Sequence, residues 1–133
     1  MKFNIYIILI TLTLSSCIWE PSGDHRLKIK NNSKNYITTI YSPDTIFELW
    51  RGYPQILQQD SIYPNEKIKL FSWDWNTSIN ESTNKKLNIF IVLEDTIKKY
   101  NNDWEYIRDN QLYTRYSYTL EELEKMNWVI EYP

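Results

Sequence analysis

The sequence predicts a mainly β fold: one antiparallel β-sandwich, compatible with immunoglobulin-like connectivity and interrupted by two short helical insertions. Three observations point there. Short runs of β-branched and aromatic residues recur along the chain and alternate between two faces. Aromatics make up 16% of the 133 residues, a supply of large apolar groups suited to the core of one small domain. Asn, Asp and Pro separate the runs, with glycine at positions 23 and 52 alone.

The elements follow in order. In "LKIKNNSKNYITTIY", Leu27 and Ile29 point one way and Lys28 and Lys30 the other. Asn31, Asn32 and Ser33 then turn the chain into a second strand from Tyr36 to Tyr41. Pro43 and Asp44 end that run. Ile46 to Trp50 reads as a strand broken by Gly52 and Pro54, and Ile56 to Ile62 as another. Pro64-Asn65 makes a turn into Lys67 to Trp73, which alternates again. The polar stretch Asn76 to Lys86 reads as a loop. "LNIFIVL", Leu87 to Leu93, is apolar on both faces and predicts a central strand covered on both sides. Ile97, Tyr100, Trp104 and Ile107 recur at helical spacing, split by Asn101-Asn102. Leu112 to Tyr118 is a tyrosine-rich strand. Thr119 to Glu122 matches a capping box, opening a helix whose stripe is Leu120, Leu123 and Met126 and which ends near Asn127. Trp128 to Tyr132 is the final strand.

The first 16 residues, MKFNIYIILITLTLSS, combine a basic start at Lys2 with an apolar segment too short to span a bilayer. Leu14-Ser15-Ser16-Cys17 follows, an aliphatic residue and two small ones before the chain's one cysteine. This resembles the bacterial lipobox, and the resemblance implies that Cys17 becomes the acylated first residue of the mature chain. A secreted chain with one cysteine has no internal disulfide partner, and lipidation accounts for that thiol. The organisation expected is a signal peptide over 1–16, a lipidated tether over 17–25 and a single domain over 26–133. Ile18, where an aspartate would signal inner-membrane retention in some bacteria, fits the outer membrane of a bacterial envelope.

A formal net charge of −2 argues against a general nucleic-acid binder. His25 is the one histidine and has no cysteine or second histidine beside it, so it reads as a solvated surface residue rather than a ligand or base. No serine nucleophile motif and no glycine-rich phosphate loop can be assembled, and adjacent acids such as Glu121-Glu122 read as solvated. No enzyme activity, cofactor or metal site is expected.

Two patterns remain as candidate sites. Phe71, Trp73 and Trp75 fall two apart, so on an extended strand they share a face that could stack on sugar rings, unless they serve as core. Trp75, next to the polar stretch, is expected to be the most exposed of them. Asp44-Thr45-Ile46, Asp60-Ser61-Ile62 and Asp95-Thr96-Ile97 repeat an Asp, hydroxyl, aliphatic triplet. The triplet resembles the O-glycosylation signal of Bacteroidota-type bacteria, which implies glycans on Thr45, Ser61 and Thr96; ordinary turn and cap pairs have the same composition.

The ending "RYSYTLEELEKMNWVIEYP", Arg115 to Pro133, resembles that of small uncharacterised lipoproteins of Bacteroides-type bacteria. The matching features are Arg115-Tyr116, Thr119 to Leu123, Asn127-Trp128 and Tyr132-Pro133. The resemblance implies origin and fold, and brings no activity with it. The expectation is a lipid-anchored envelope protein that contacts another envelope protein as a non-enzymatic accessory component. The alternative is a glycan-binding module using Trp73 and Trp75.

Overall fold

The computed structural model describes residues 23–54 and 57–133, with the backbone alone over 57–60. The leader, Cys17 and positions 18–22 of the expected tether lie outside the described residues, as does Ile56. The described chain forms nine strands: β1 (Lys28–Asn31), β2 (Ile37–Ser42), β3 (Leu49–Trp50), β4 (Tyr53–Pro54), β5 (Leu57–Ile62), β6 (Lys67–Lys69), β7 (Leu87–Leu93), β8 (Thr114–Tyr118) and β9 (Val129–Tyr132). Four short helices accompany them: α1 (Trp75–Glu81), α2 (Glu94–Lys99), α3 (Trp104–Asp109) and α4 (Leu120–Lys125). None is long and apolar enough to cross a membrane.

The fold is a β-sandwich with helical insertions. A four-stranded sheet, order β5-β2-β7-β8, packs on a three-stranded sheet, order β6-β1-β9, and β3 and β4 form a separate ribbon. Alternation along β7 explains the layering. Leu87, Ile89 and Ile91 face the three-stranded sheet and join Leu27, Ile29, Ile130, Trp75, Leu123 and Trp128 in one core. Phe90 and Val92 point the opposite way, into a second core with Ile40, Phe47, Ile97, Trp104 and Ile107. The central sheet is therefore covered twice: by a sheet with α1 and α4 on one face, and by α2, α3 and the β3–β4 ribbon on the other. This two-sided cover is what the apolar run at Leu87 to Leu93 foreshadows.

Several local expectations change in the structure. The polar turn after β1 does not close a hairpin. β1 pairs with β6 and β9, β2 with β5 and β7, so the turn carries the chain from one sheet to the other. Asn31 is the pin of this crossing. It is fully buried, its Nδ2 donates to the carbonyls of Asn35, Ile62 and Tyr63, and its Oδ1 accepts from the backbone and hydroxyl of Ser33. One pairing, β1 with β9, is parallel, so the sandwich is mixed rather than wholly antiparallel. First and last strands share a sheet here, whereas constant-type immunoglobulin domains place them in different sheets, so the connectivity is not immunoglobulin-like.

Residues 76–81, which the sequence predicts as the start of a loop, belong to helix α1. Asp74 caps it, accepting from the backbone N–H of Asn76 at 2.9 Å, and Trp75 and Ile79, one turn apart, both enter the core. The other helices follow their signals. Asn101 and Asn102 take left-handed φ values of 51° and 60° between α2 and α3, a conformation asparagine tolerates. Thr119 and Glu122 complete the capping box of α4 in both directions.

Candidate functional site

The expected aromatic row does not form. Strand β6 stops at Lys69, and the Asp74 cap turns the following chain so that Trp75 goes inward, fully buried, edge-on to Tyr41 at 5.1 Å. The residue expected to be most exposed is thus the least. Trp73 alone stands out, 77% exposed, with the half-buried Phe71 ring edge-on at 5.4 Å. His25 is at the surface as expected, its ring 5.2 Å from that of Phe71.

The three triplet hydroxyls are dispersed. Thr45 is exposed in the loop after β2, and its carbonyl accepts from Nη1 of Arg115 at 2.9 Å. Ser61 lies within β5, where its hydroxyl donates to Oε1 of Glu94 at 2.9 Å; Thr38 donates to the same oxygen at 2.7 Å. Thr96 is half-buried inside α2. Thr45 alone of the three offers an exposed acceptor in an open loop.

The most developed exposed feature is the β3–β4 ribbon. Arg51 and Gly52 both have positive φ, 51° and 83°, the signature of a tight two-residue hairpin turn whose twist suits the flanking strands. Trp50 and Tyr53 face each other directly across it, so both rings lie on one side of the ribbon, and they are 63% and 62% exposed. Leu49 holds the ribbon down by packing on the second core, and β4 lies against α3. The Arg51 guanidinium covers the Trp50 ring at 4.6 Å. The sequence carried a signal for this hairpin: Arg-Gly between two aromatic residues.

Beside the ribbon runs an open groove of about 790 Å³, lined by Thr45, Ile46, Arg108, Asp109, Gln111 and Arg115 among others. Arg108 is neutralised by Asp109 at 2.7 Å and Glu105 at 3.9 Å, contacts that raise its pKa. Arg115 has no carboxylate partner among the described residues. The groove therefore offers hydrogen-bond donors and a guanidinium, and it shares Arg108 and Asp109 with α3, the helix against which β4 lies. No group of three or more His, Cys, Asp or Glu side chains able to hold a metal ion occurs among the described residues.

The junction with the expected tether is built differently. Asp24 and His25, assigned to the tether from sequence, belong to the fold. Asp24 exchanges two backbone hydrogen bonds with Ser72 and grips Arg26 through both carboxylate oxygens, the shortest contact being 2.6 Å. Arg26 also reaches Asn76 at 2.8 Å and Glu124 at 3.3 Å, and its guanidinium stacks 4.1 Å from the Trp128 ring centroid. The hydrogen bond from Arg26 holds the Asp24 carboxyl below the usual range. Gly23 sits so close under Phe71 that a Cβ there would lie 1.8 Å from the ring.

No protein-family model, curated protein or solved structure matches this chain.

Proposed function

We propose that this protein is a lipid-anchored component of a bacterial cell envelope, placed at the outer membrane through Cys17, and that it acts by binding another envelope protein rather than by catalysis. The spacing of the apolar leader, Leu14-Ser15-Ser16 and Cys17 supports the anchor, as does the C-terminal resemblance to small Bacteroides-type lipoproteins. The observation that carries the binding reading is the Trp50–Tyr53 pair. Two large rings held out on one side of a tight two-residue turn offer contact area of the kind hot-spot residues supply.

The test is photo-crosslinking from position 50 in the native host, followed by intact-mass measurement of the purified chain. A discrete envelope partner captured through position 50, and lost on Tyr53→Ala, is the expected result. Absence of any capture at 50, with the protein folded and anchored, overturns the binding reading. The same mass spectrum reads acylation at Cys17 and a glycan at Thr45, the best-placed of the three triplet hydroxyls.

A glycan ligand is the second reading, moved from Phe71, Trp73 and Trp75 to the ribbon. The polar groove lined in part by α3, the helix against which β4 lies, favours it, because sugars are held by an aromatic face together with hydrogen-bond donors. Retention on a polysaccharide column that requires Trp50 distinguishes this reading from the first.

A further inference from the structure

The outer face of the three-stranded sheet carries an unusual arrangement of charge. In β1, Ile29 is buried and Lys28 and Lys30 face outward; in β6, Lys67 and Lys69 are exposed on either side of Ile68. The register sets Lys28 opposite Lys69 and Lys30 opposite Lys67. Two like-charge pairs directly opposite one another destabilise a sheet, and the chain as a whole is acidic. Glu131, 3.7 Å from Lys30, is the one carboxylate among the outward strand positions of this sheet.

The ladder does not stop at Lys69. Leu70 donates to the Leu27 carbonyl, and Ser72 bridges to Asp24. Leu70 and Ser72 are buried, so the alternation places Phe71 and the exposed Trp73 on the same outward side as the lysines. The face is therefore a block of four lysines leading to an aromatic pair, the half-buried Phe71 and the exposed Trp73. That pair lies where the chain comes in at Gly23, whose backbone supports Phe71. Cys17 stands six positions earlier, a reach of about 20 Å at most.

We propose that this face, Lys28, Lys30, Lys67 and Lys69 with Phe71 and Trp73, rests on an anionic lipid surface, with Trp73 at the headgroup boundary. The proximity part of the argument rests on the anchor at Cys17; the charge and aromatic placement do not. Lysines attract acidic headgroups only within a screening length of about 8–10 Å at physiological salt, and a tether of at most about 20 Å lets the face come into that range. Tryptophan is the side chain best suited to the interface itself. The face belongs to the layer opposite the Trp50–Tyr53 ribbon, which then points away from the lipid.

The test uses full-length protein made in a lipidating host and reconstituted into vesicles of phosphatidylcholine, with or without phosphatidylglycerol. Intact mass first establishes acylation of Cys17. With that thiol occupied, Trp73→Cys and Trp50→Cys each offer one site for the environment-sensitive fluorophore NBD, which takes the place of the indole. The expected result is blue-shifted, iodide-protected emission at 73, stronger on anionic vesicles, and water-like emission at 50 on both. Replacing the four lysines with Gln removes the dependence on phosphatidylglycerol while the circular dichroism spectrum is retained. Water-like emission at 73 on both vesicle types, from acylated and folded protein, overturns the proposal and leaves the anchor standing. A free Cys17 overturns the anchor instead, and sedimentation of the unacylated chain with anionic vesicles then tests the face alone. Binding that falls at least about tenfold in the four-Gln variant supports the face, and no binding overturns it. Lysine-dependent capture of polyglutamate by a chain that leaves position 73 in water assigns the face to an acidic polypeptide and also overturns the proposal.

Discussion

Single residues decide how the chain is gripped. Asp24 forms a two-oxygen contact with Arg26, whose guanidinium also stacks on Trp128, so one arginine ties the incoming chain to α4 and the last loop. A carboxyl held below its ordinary pKa stabilises the fold above the unfolded value, about 3.9, and loses that contribution as pH falls through the lower folded value. Asp24→Asn is expected to lower stability at neutral pH by about 1–2 kcal/mol and to flatten the pH dependence below about pH 4, read from urea midpoints across pH. Arg26→Lys should reproduce most of the loss, because an ammonium neither forks nor stacks as a guanidinium does. The sequence placed Asp24 and His25 on a tether because no period runs through them. Arg26, which grips Asp24, is two residues on, but Ser72, which pairs with its backbone, lies far along the chain and nothing local announces it. Trp75 was misjudged for a related reason. Its neighbours are polar, but burial follows from the turn of the backbone at Asp74, and the clue was Trp75 and Ile79 one helical turn apart.

Elements were legible where local signals are strong. Both-face apolarity marked β7, paired asparagines marked the break between α2 and α3, and Thr119 with Glu122 marked the start of α4. They were illegible where the signal is thin, as in α1, or where pairing is non-local. The outward lysines of β1 and β6 are visible as alternation in each segment, yet only the register shows them to be opposite one another. This arrangement costs stability that a neutral surface would retain. Lys69→Glu, which puts opposite charges face to face with Lys28, is expected to raise the unfolding free energy by about 0.5–1 kcal/mol at low salt, with the gain shrinking as salt is added. Thermal melts over a salt series check this. A gain in stability paired with weaker attachment to anionic vesicles marks the lysines as kept for binding.

At the scale of the whole molecule, the mainly β class was readable, and the distribution of strands between two sheets was not. Turn chemistry after β1 looks the same whether the chain doubles back or crosses over. What separates the cases is Asn31, whose buried amide collects the Asn35 carbonyl of its own turn and two carbonyls, Ile62 and Tyr63, of one distant segment. The two cores lie on opposite faces of one sheet and share strands β2 and β7, so they are expected to unfold together. Ile130→Ala in one core should cost about 2–5 kcal/mol and Phe90→Ala in the other about 3–5 kcal/mol. Each should shift a single transition, with fluorescence and circular dichroism superimposed, rather than split it in two.

The parallel pairing of β1 with β9 bears on the anchoring and partner binding proposed above. Tension applied at the leading end of the domain passes through Asp24 and along β1, which is hydrogen-bonded to β6 on one side and β9 on the other. Pulled lengthwise, those bonds are loaded in shear and share the force, instead of opening one after another as a peeled edge strand would. The fold thus puts a strand bonded on both sides at the point where load from the proposed anchor would enter.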